Sequence, residues 1–224
     1  MYRRITTQGK KCIIIAAGDL GIEKPPIGQE DLCIAADGGY RYCTGLQIIP
    51  DYWIGDFDSL SEEEQQAACE MEKNQPEKIK RLPVVKDDTD MLAAIKLGLK
   101  KGYRRFYLYG GLGGARFEHS VANIQCLQYL KEHDAEGYLL EDRQMLMLVK
   151  EETITIPAGE ELYVSVFSMS ETSTGVNLKH LKYELENAVL TNSFPIGISN
   201  ETVGKDAVIS VEKGSLLVVL TKKK

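Results

Sequence analysis

Continuous apolar runs recur through the first two thirds of the chain. Residues 12–17 are Cys-Ile-Ile-Ile-Ala-Ala and residues 32–36 are Leu-Cys-Ile-Ala-Ala, without the polar alternation of a half-exposed strand. Such runs are typical of strands covered on both faces in a parallel sheet. Helical spacing occurs between the runs, for example at Met91, Ile95 and Leu99. The pattern predicts strands at 12–17, 32–36, 51–54, 78–85, 104–109, 136–140 and 145–149, with helices near 40–46, 61–73, 90–101 and 119–133.

Beyond Lys150 the pattern changes to short segments that alternate or are rich in β-branched residues. Turn sequences such as Pro-Ala-Gly at 157–159 separate them, and none has convincing helical spacing. The pattern therefore predicts an α/β domain over residues 1–149 and a small antiparallel β domain over residues 150–224. The strands predicted in the second domain are 153–156, 162–169, 206–211 and 215–221.

Composition narrows the class of protein. The chain has 224 residues, a formal net charge of −6 and a pI near 5.3, which argues against a nucleic-acid duplex as partner. The basic residues at 222–224 are interpreted as a solvated end. The five cysteines include no C-x-x-C pair, so the sequence predicts neither a disulfide framework nor a zinc site. No apolar stretch reaches membrane-spanning length, and we expect a reducing, cytoplasmic setting.

The second predicted strand ends in an acid and two glycines, Asp37-Gly38-Gly39. Ligands of open α/β sheets bind beyond the carboxyl ends of the strands. Paired glycines at such an end would let a ligand come close to the backbone. We therefore expect Asp37, Gly38 and Gly39 to lie close to a bound nucleotide.

Two further acids, Asp56 and Asp58, follow the third predicted strand. Alternate residues of an extended segment point to one side, so both carboxylates can face one ion while Phe57 turns into the core. The pattern predicts that Asp56 and Asp58 are metal ligands. Ser61 and Glu64 then form a capping box at the start of the next helix, which gives the neighbouring glutamates a structural role.

The most concentrated acidic stretch is Lys86-Asp87-Asp88-Thr89-Asp90, which opens a predicted helix. Two carboxylates about 4 Å apart repel each other by roughly 4 kcal/mol at an effective dielectric constant near 20. In a cleft, such a cluster needs a counter-charge, most naturally a hard divalent cation with oxygen ligands. Asp88 or Thr89 would also serve as the helix N-cap. One cap does not require three acids, so we expect a functional role as well.

Glycines dominate residues 110–114, between a predicted strand and a predicted helix. Such a loop exposes backbone amides where a helix begins, which favours anion binding. Arg116 adds a fork-shaped donor for phosphate oxygens. His119 either contacts phosphate or caps the helix. The pattern is neither a Walker A loop nor a dinucleotide-binding fingerprint.

These motifs together resemble the thiamine pyrophosphokinase family over nearly the whole chain. The later residues Leu181-Lys182-Tyr183 and Ser199-Asn200-Glu201 are similar to that family's thiamine-binding domain. Three features depart from the family pattern. Ala115 precedes Arg116, Glu118 stands before His119, and the family's frequent Leu-Lys-Trp-Pro element reads Leu-Lys-Tyr-Glu at residues 181–184. The motifs that carry the resemblance are 37–39, 55–59, 86–90 and 110–119.

The resemblance implies a Rossmann-like α/β domain with a mostly parallel sheet and flanking helices, followed by an antiparallel β-sandwich. It also implies a homodimer that holds thiamine at the subunit interface near ATP. The implied reaction is the Mg²⁺-dependent transfer of pyrophosphate from ATP to the thiamine hydroxyl. In-line attack on the β-phosphorus would give thiamine diphosphate and AMP.

Residue roles follow from the motifs and the resemblance together. The expected metal ligands are Asp56, Asp58 and Asp90. The expected catalytic residues are Asp58, Asp87, Asp88, Asp90 and Arg116, with Asp87 or Asp88 either accepting the hydroxyl proton or joining the metal shell. The residues expected near ATP are Asp37, Gly38, Gly39, Thr89, Gly113, Gly114, Arg116 and His119. The residues expected near thiamine are Tyr183, Ser199 and Asn200, with Tyr183 or Trp53 as the aromatic that stacks on the thiazolium.

Two alternatives remain open at the level of sequence. Asp56-Phe57-Asp58 also fits the metal–nucleotide motif of a glycosyltransferase, although that interpretation leaves the acids at 86–90 and the glycine loop unexplained. The chain could also be a non-catalytic module that binds thiamine or a nucleotide. A complete acidic metal site argues against this, since a sensor does not need one.

Overall fold

The chain is divided into two compact units. The computed structural model describes residues 9–18, 20–21, 24–83, 87–113 and 116–223. One unit comprises Lys10–Asp142, and Arg143 to the C-terminus belongs to the other. The division comes one strand earlier in the chain than the change of pattern at Lys150.

A parallel sheet forms the centre of the first unit. All five pairings between its six strands are parallel, and the strand order is β6-β5-β1-β2-β3-β4. Strands β1 and β2 are buried along their length, and β5 is buried after Arg105, as expected for apolar runs covered on both faces. The strands are β1 (Cys12–Ile15), β2 (Leu32–Ala36), β3 (Tyr52–Gly55), β4 (Ile79–Arg81), β5 (Arg105–Tyr109) and β6 (Glu136–Leu140).

Four α-helices pack against this sheet. They are α1 (Tyr40–Gly45), α2 (Glu62–Asn74), α3 (Asp90–Lys100) and α4 (Phe117–Glu132). The predicted capping box of α2 is confirmed, because the Ser61 hydroxyl accepts from the Glu64 amide and the Glu64 carboxylate accepts from the Ser61 amide. These bonds fix where the chain leaves the loop after β3.

The order of the strands creates a crevice at one end of the sheet. The chain proceeds outward from β1 through β2 and β3 to β4, and then returns to the other side of β1 as β5. Loops after β1 and β5 therefore leave in opposite directions. An open α/β sheet binds ligands at such a switch point, beyond the carboxyl ends of its strands. Topology thus directs attention to the segments that follow β1, β2, β3 and β5.

The second unit is built from antiparallel strands in two sheets. Within the unit, the orders are β12-β9-β14-β7 and β11-β10-β13-β8. The predicted fold class, a mostly parallel α/β sheet followed by a small antiparallel β-sandwich, is confirmed. The strands are β7 (Gln144–Lys150), β8 (Thr153–Ile156), β9 (Leu162–Ser168), β10 (Thr172–Lys179), β11 (Leu185–Thr191), β12 (Asn200–Glu201), β13 (Ala207–Ser210) and β14 (Ser215–Lys222).

Strand β7 differs from the prediction, which counted it with the α/β half. It pairs antiparallel with β14 along seven residues, from Gln144 opposite Thr221 to Lys150 opposite Ser215. Its interior is fully buried. A continuous apolar run indicates burial on both faces but does not identify the partner strand. The prediction also omits β10, β11 and the two-residue β12, because their polar and small residues give little periodic signal.

Among the described residues, no helix is long and apolar enough to cross a membrane.

Candidate active site

A cavity of about 320 Å³ lies at the carboxyl end of the parallel sheet. Its walls come from the loops after β1, β2, β3 and β5 and from the N-terminal turns of α3 and α4. The cavity therefore lies at the switch point between β1 and β5. The residues that line it include Asp37, Ser59, Thr89, Asp90, Gly111, Gly113, Arg116, His119 and Asn123. Loops far apart in sequence therefore share one small volume.

Three carboxylates converge at this end of the sheet. Asp37, Asp56 and Asp90 each offer an oxygen, and these oxygens all lie within 4.8 Å of one another. The three residues follow β2, follow β3 and open α3, respectively. All three side chains are partly buried, so water screens their repulsion less than it would on an open surface.

Asp37 is held in place by its backbone and by a neighbour. Its φ of 46° lies in the left-handed region, which few residues other than glycine adopt. The buried indole of Trp53 donates to the Asp37 carbonyl at 2.9 Å, and the Ser59 hydroxyl donates to Oδ2 at 2.8 Å. The other carboxylate oxygen, Oδ1, is buried and has no hydrogen-bond partner among the described residues. A buried, unsatisfied carboxylate oxygen is costly unless a cation or a donor is bound to it.

Asp56 and Asp58 do not share the orientation that the sequence predicts. Phe57 is buried as expected, but its φ of 63° makes a turn instead of an extended segment. The alternation that would aim both acids at one ion is lost at this turn. Asp58 is exposed and lies outside the acidic group, in which Asp37 takes the third position. The expected set of Asp56, Asp58 and Asp90 is thus only partly brought together.

Asp90 is placed by the start of α3. Thr89 is the N-cap, and its hydroxyl accepts from the Leu92 amide at 3.2 Å. Of the two cap candidates, Thr89 is the one used. Asp90 then occupies the first turn, where the helix dipole favours a negative charge. The cap therefore fixes the position at which Asp90 enters the acidic group.

The neighbouring acids Asp87 and Asp88 have different surroundings. Both oxygens of Asp88 accept from the Lys96 ammonium, at 2.6 and 2.7 Å. This hydrogen-bonded carboxylate raises the pKa of Lys96 above its ordinary value. Asp87 is exposed, and Lys86 lies outside the described residues. Asp88, which precedes the N-cap of α3, therefore pairs with a lysine of that helix and is not part of the acidic group.

The glycine loop after β5 packs tightly against the loop after β1. The Gly18 amide donates to the Gly110 carbonyl at 2.9 Å, and a Cβ on Gly18 would lie 2.5 Å from the same oxygen. Gly113 has a φ of 69° and lines the cavity, while Gly114 lies outside the described residues. Asn123 on α4 donates to the Gly111 carbonyl at 2.6 Å and so fixes the loop from the helix side.

Arg116 and His119 lie at the exposed side of the cavity. Nε of Arg116 donates to Glu118 at 2.8 Å, and this hydrogen bond lowers the pKa of Glu118. The departure from the family pattern at Glu118 thus has a direct contact with the expected phosphate-binding arginine. His119 lines the cavity in the first turn of α4, so it does not cap the helix.

Gly38 and Gly39 have a packing role at their positions. They form a short 3₁₀ turn under Asp37, and both are buried. A Cβ on Gly39 would overlap the Ile15 carbonyl at the end of β1. Neither glycine lines the cavity within the described residues. They control the turn that carries Asp37 and do not themselves offer a surface to a ligand.

The residues expected near thiamine are only partly available for a ligand. Tyr183 is 62% exposed, with the Lys182 ammonium 5.5 Å from its ring centre. Ser199 is exposed, and its amide donates to the Ser165 hydroxyl at 3.0 Å. Trp53, by contrast, is fully buried and stacks on Tyr40, so it is a core residue.

Asn200 is occupied by the backbone. Its Oδ1 accepts from the Tyr183 and Glu201 amides, and its Nδ2 donates to the Tyr183 carbonyl at 2.6 Å. Beside it, Glu201 accepts from Lys182 and Lys223, and these two bonds lower the pKa of Glu201 to about 2. Asn200 therefore positions the segment that carries Tyr183.

The sequence analysis missed two polar side chains of this site and gave Asp37 a different role. Ser59 and Asn123 line the cavity through side-chain contacts with Asp37 and Gly111. Asn123 is a buried amide on a helix, which is a usable signal once the helix face is known. Nothing in the local sequence distinguishes Ser59 from an ordinary loop serine.

Comparison with known families gives two matches. The family model described as "Thiamin pyrophosphokinase, catalytic domain" matches residues 26–139. The model described as "Thiamin pyrophosphokinase, vitamin B1 binding domain" matches residues 151–216. The first match covers the loops after β2, β3 and β5 that line the cavity, and the second covers most of the β-sandwich.

Individual relatives agree with the family matches. A thiamine pyrophosphokinase of Bacillus subtilis (strain 168) is 28% identical over 210 residues, which is 92% of this chain and 96% of the relative. The crystal structure of thiamine pyrophosphokinase from Bacillus subtilis matches with a TM-score of 0.83 at 26% identity, covering 96% and 100% of the two chains. The Geobacillus thermodenitrificans structure, at 23% identity and a TM-score of 0.79, has the same fold, and the match covers 96% of this chain and 99% of that one.

Proposed function

The chain belongs to the thiamine pyrophosphokinase family, and from this membership we propose how its residues form thiamine diphosphate and AMP from thiamine and ATP. The observation that carries the proposal is the convergence of Asp37, Asp56 and Asp90 beside a glycine loop at the switch point of the sheet. Pyrophosphoryl transfer needs positioning and charge neutralisation more than covalent catalysis. Carboxylates on one side and backbone amides on the other fit that need.

Magnesium is the cation that suits the acidic group. The donors are all carboxylate oxygens, which a hard cation prefers. The buried Oδ1 of Asp37, which no described residue satisfies, is a coordination position already desolvated. Magnesium bound there would neutralise charge on the polyphosphate. Ser59 holds the other oxygen of Asp37, so the carboxylate keeps one orientation.

ATP would lie in the cavity within the first unit. The amides of Gly113 and Gly114, the Thr89 hydroxyl, Arg116 and His119 are the donors proposed for its phosphates. The Thr89 oxygen already accepts from the backbone, which leaves its hydrogen free to point elsewhere. Gly38 and Gly39 act indirectly, through the turn that carries Asp37. To bind phosphate with all of its N–H donors, Arg116 must share or break its hydrogen bond to Glu118.

The thiamine hydroxyl would attack the β-phosphorus in line, with AMP as the leaving group. Asp58 and Asp87 are the two candidates for accepting the hydroxyl proton, since both are exposed. The Lys96 ion pair argues against Asp88 as the base, because both of its carboxylate oxygens already accept from the ammonium. Arg116 and the glycine amides would stabilise charge on the transferred group.

We assign thiamine binding to the second unit. The predicted boundary between residues 149 and 150 would then separate ATP binding from thiamine binding. The Tyr183 ring is the proposed stacking partner for the cationic thiazolium, and Ser199 is the proposed hydrogen-bonding partner. Asn200 supports both by holding the Tyr183 backbone.

The direct test is an assay with purified protein, thiamine, ATP and Mg²⁺. We expect AMP and thiamine diphosphate to form in equal amounts, because the β-phosphorus is the point of attack. Chromatography of the products identifies them. Formation of ADP and thiamine monophosphate in place of these products would overturn the proposed point of attack, and absence of any turnover would overturn the proposed function.

A homodimer with active sites at the subunit interface is the proposed assembly. Large apolar side chains are unevenly exposed in the described residues. Three lie in the first unit and eight in the second, and exposed apolar surface of this kind marks association sites. The eight are Tyr163, Met169, Tyr183, Val189, Phe194, Ile196, Ile198 and Val203.

Replacing Phe194 with glutamate is expected to weaken dimerisation by about thirtyfold or more, because a buried aromatic anchor contributes roughly 2 kcal/mol or more to an interface. Light scattering coupled to size exclusion, over a dilution series, measures the change. The matched control is Ile49→Glu, since Ile49 is 87% exposed in the other unit. Equal masses for both variants at every concentration would contradict the placement of the interface.

A reducing, cytoplasmic location is proposed from the cysteines. All five are free, and Cys12, Cys33, Cys43 and Cys126 are buried as small core residues. A chain that leaves its thiols unpaired is suited to a compartment that keeps thiols reduced.

A further inference from the structure

Asn123 is a buried amide with one side fixed by the glycine loop. Only 6% of the residue is exposed, and it lines the cavity. Its Nδ2 lies 2.6 Å from the Gly111 carbonyl. Because a carbonyl oxygen accepts but does not donate, the amide nitrogen must face Gly111. The orientation of the Asn123 oxygen is therefore determined and points away from the loop.

That oxygen, Oδ1, has no donor among the described residues. Unlike Oδ1 of Asp37, this oxygen is not fully buried, so it reaches open space. The open space that Asn123 borders is the cavity. Because Asn123 is only 6% exposed, solvent reaches this oxygen through the cavity, and a ligand that displaces the solvent must donate to the oxygen or leave it unpaired.

We infer that Asn123 binds the nucleoside part of ATP by accepting a hydrogen bond through Oδ1. A neutral amide oxygen cannot accept from a polyphosphate, whose oxygens are acceptors themselves at neutral pH. The donors that ATP carries are the two ribose hydroxyls and the exocyclic amine of the adenine. The inference rests on the proposed function, since it takes the cavity as the ATP site. It assigns the nucleoside to the side of the cavity formed by α4.

Three ATP analogues separate the possible donors: 2′-deoxy-ATP, 3′-deoxy-ATP and an ATP that lacks the exocyclic amine. Calorimetry measures the affinity of each nucleotide for the wild-type protein and for Asn123→Ala. In the wild type, one analogue should bind about tenfold more weakly than ATP, as expected for one lost hydrogen bond to a desolvated group. In Asn123→Ala, that analogue and ATP should bind equally well.

The loss of discrimination, and not the loss of affinity, is the decisive result. Gly111→Ala serves as the control for a disturbed loop, because its added Cβ would lie 2.6 Å from Leu139 without removing the amide oxygen. This control should weaken all nucleotides by a common factor and keep the tenfold ratio. If the ratio persists in Asn123→Ala, or if the wild type binds all four nucleotides equally, Asn123 only supports the loop and the inference fails.

Separate measurements of nucleotide binding and of turnover distinguish a failure of this inference from a failure of the proposed function. Nucleotide discrimination without pyrophosphoryl transfer would overturn the proposed function while supporting the role of Asn123. Normal pyrophosphoryl transfer without discrimination between the nucleotides would support the proposed function and overturn the role of Asn123. Thermal unfolding of each variant shows whether a weak affinity comes from a damaged fold.

Discussion

Replacing Asp90 with asparagine is expected to lower the rate of thiamine diphosphate formation by about 10³-fold, with the fold intact. The same loss is expected for Asp37→Asn. Each change removes one of the three carboxylate oxygens that converge within 4.8 Å. It also relieves repulsion between acids, so the free energy of unfolding without metal should change by less than about 1 kcal/mol. Steady-state kinetics and denaturant unfolding measure the two effects.

Asp58→Asn is the variant that separates the two possible metal sites. The spacing of Asp56 and Asp58 predicts a shared ion, whereas the turn at Phe57 leaves Asp58 outside the acidic group. We expect Asp58→Asn to lose turnover but to keep the stabilisation that Mg²⁺ gives against thermal unfolding in the presence of nucleotide. Asp37→Asn should lose that stabilisation. The opposite pattern would put Asp58 in the metal shell and remove Asp37 from it.

The second large effect concerns stability. Gly39→Ala is expected to lower the free energy of unfolding by about 3 kcal/mol or more, because the new Cβ would overlap the Ile15 carbonyl and neither backbone segment can move aside easily. If Gly39 instead existed to let ATP approach, the variant would be normally stable and would differ only in its affinity for ATP. Urea unfolding followed by circular dichroism distinguishes these outcomes.

Gly45→Ala is the matched control for this prediction. Gly45 ends the helix that begins directly after Gly39, and nothing lies within 4 Å of a Cβ built on it. Alanine should be neutral there or stabilise the helix by up to about 1 kcal/mol. A similar loss of stability in both variants would mean that the overlap at Gly39 is not the cause.

Much of the parallel sheet could be predicted because burial on both faces leaves a clear signature. The runs at β1 and β2 are apolar throughout, and both strands lie in the interior of the sheet. The capping box at Ser61 was equally clear, since capping depends on residues three apart. The partner of a strand was harder to predict. The apolar run of β7 indicates that the strand is buried but not that it pairs with β14.

For the candidate site, the sequence indicated which loops carry the chemistry but not which atoms meet. Asp56 and Asp90 were expected to meet, and they do. Asp37 joins them because its left-handed backbone and the Ser59 hydroxyl aim its carboxylate at the same point. Asp88 was expected in the site, yet Lys96 engages it two turns along α3. These outcomes depend on backbone angles and competing partners, which the spacing of residues does not encode.

The sequence by itself determined the family, the two-part architecture and the set of acidic and glycine-rich loops, because motif spacing and hydrophobic pattern are properties of the chain. Only the tertiary structure decided that Asp37 lies beside Asp56 and Asp90 in the place expected for Asp58, and that Gly39 packs against the end of β1. It also decided that Asn123 borders the cavity with an oxygen to which no described residue donates. The physical reason is that each of these results depends on a distance between segments distant in sequence, and such distances are set when the sheet assembles.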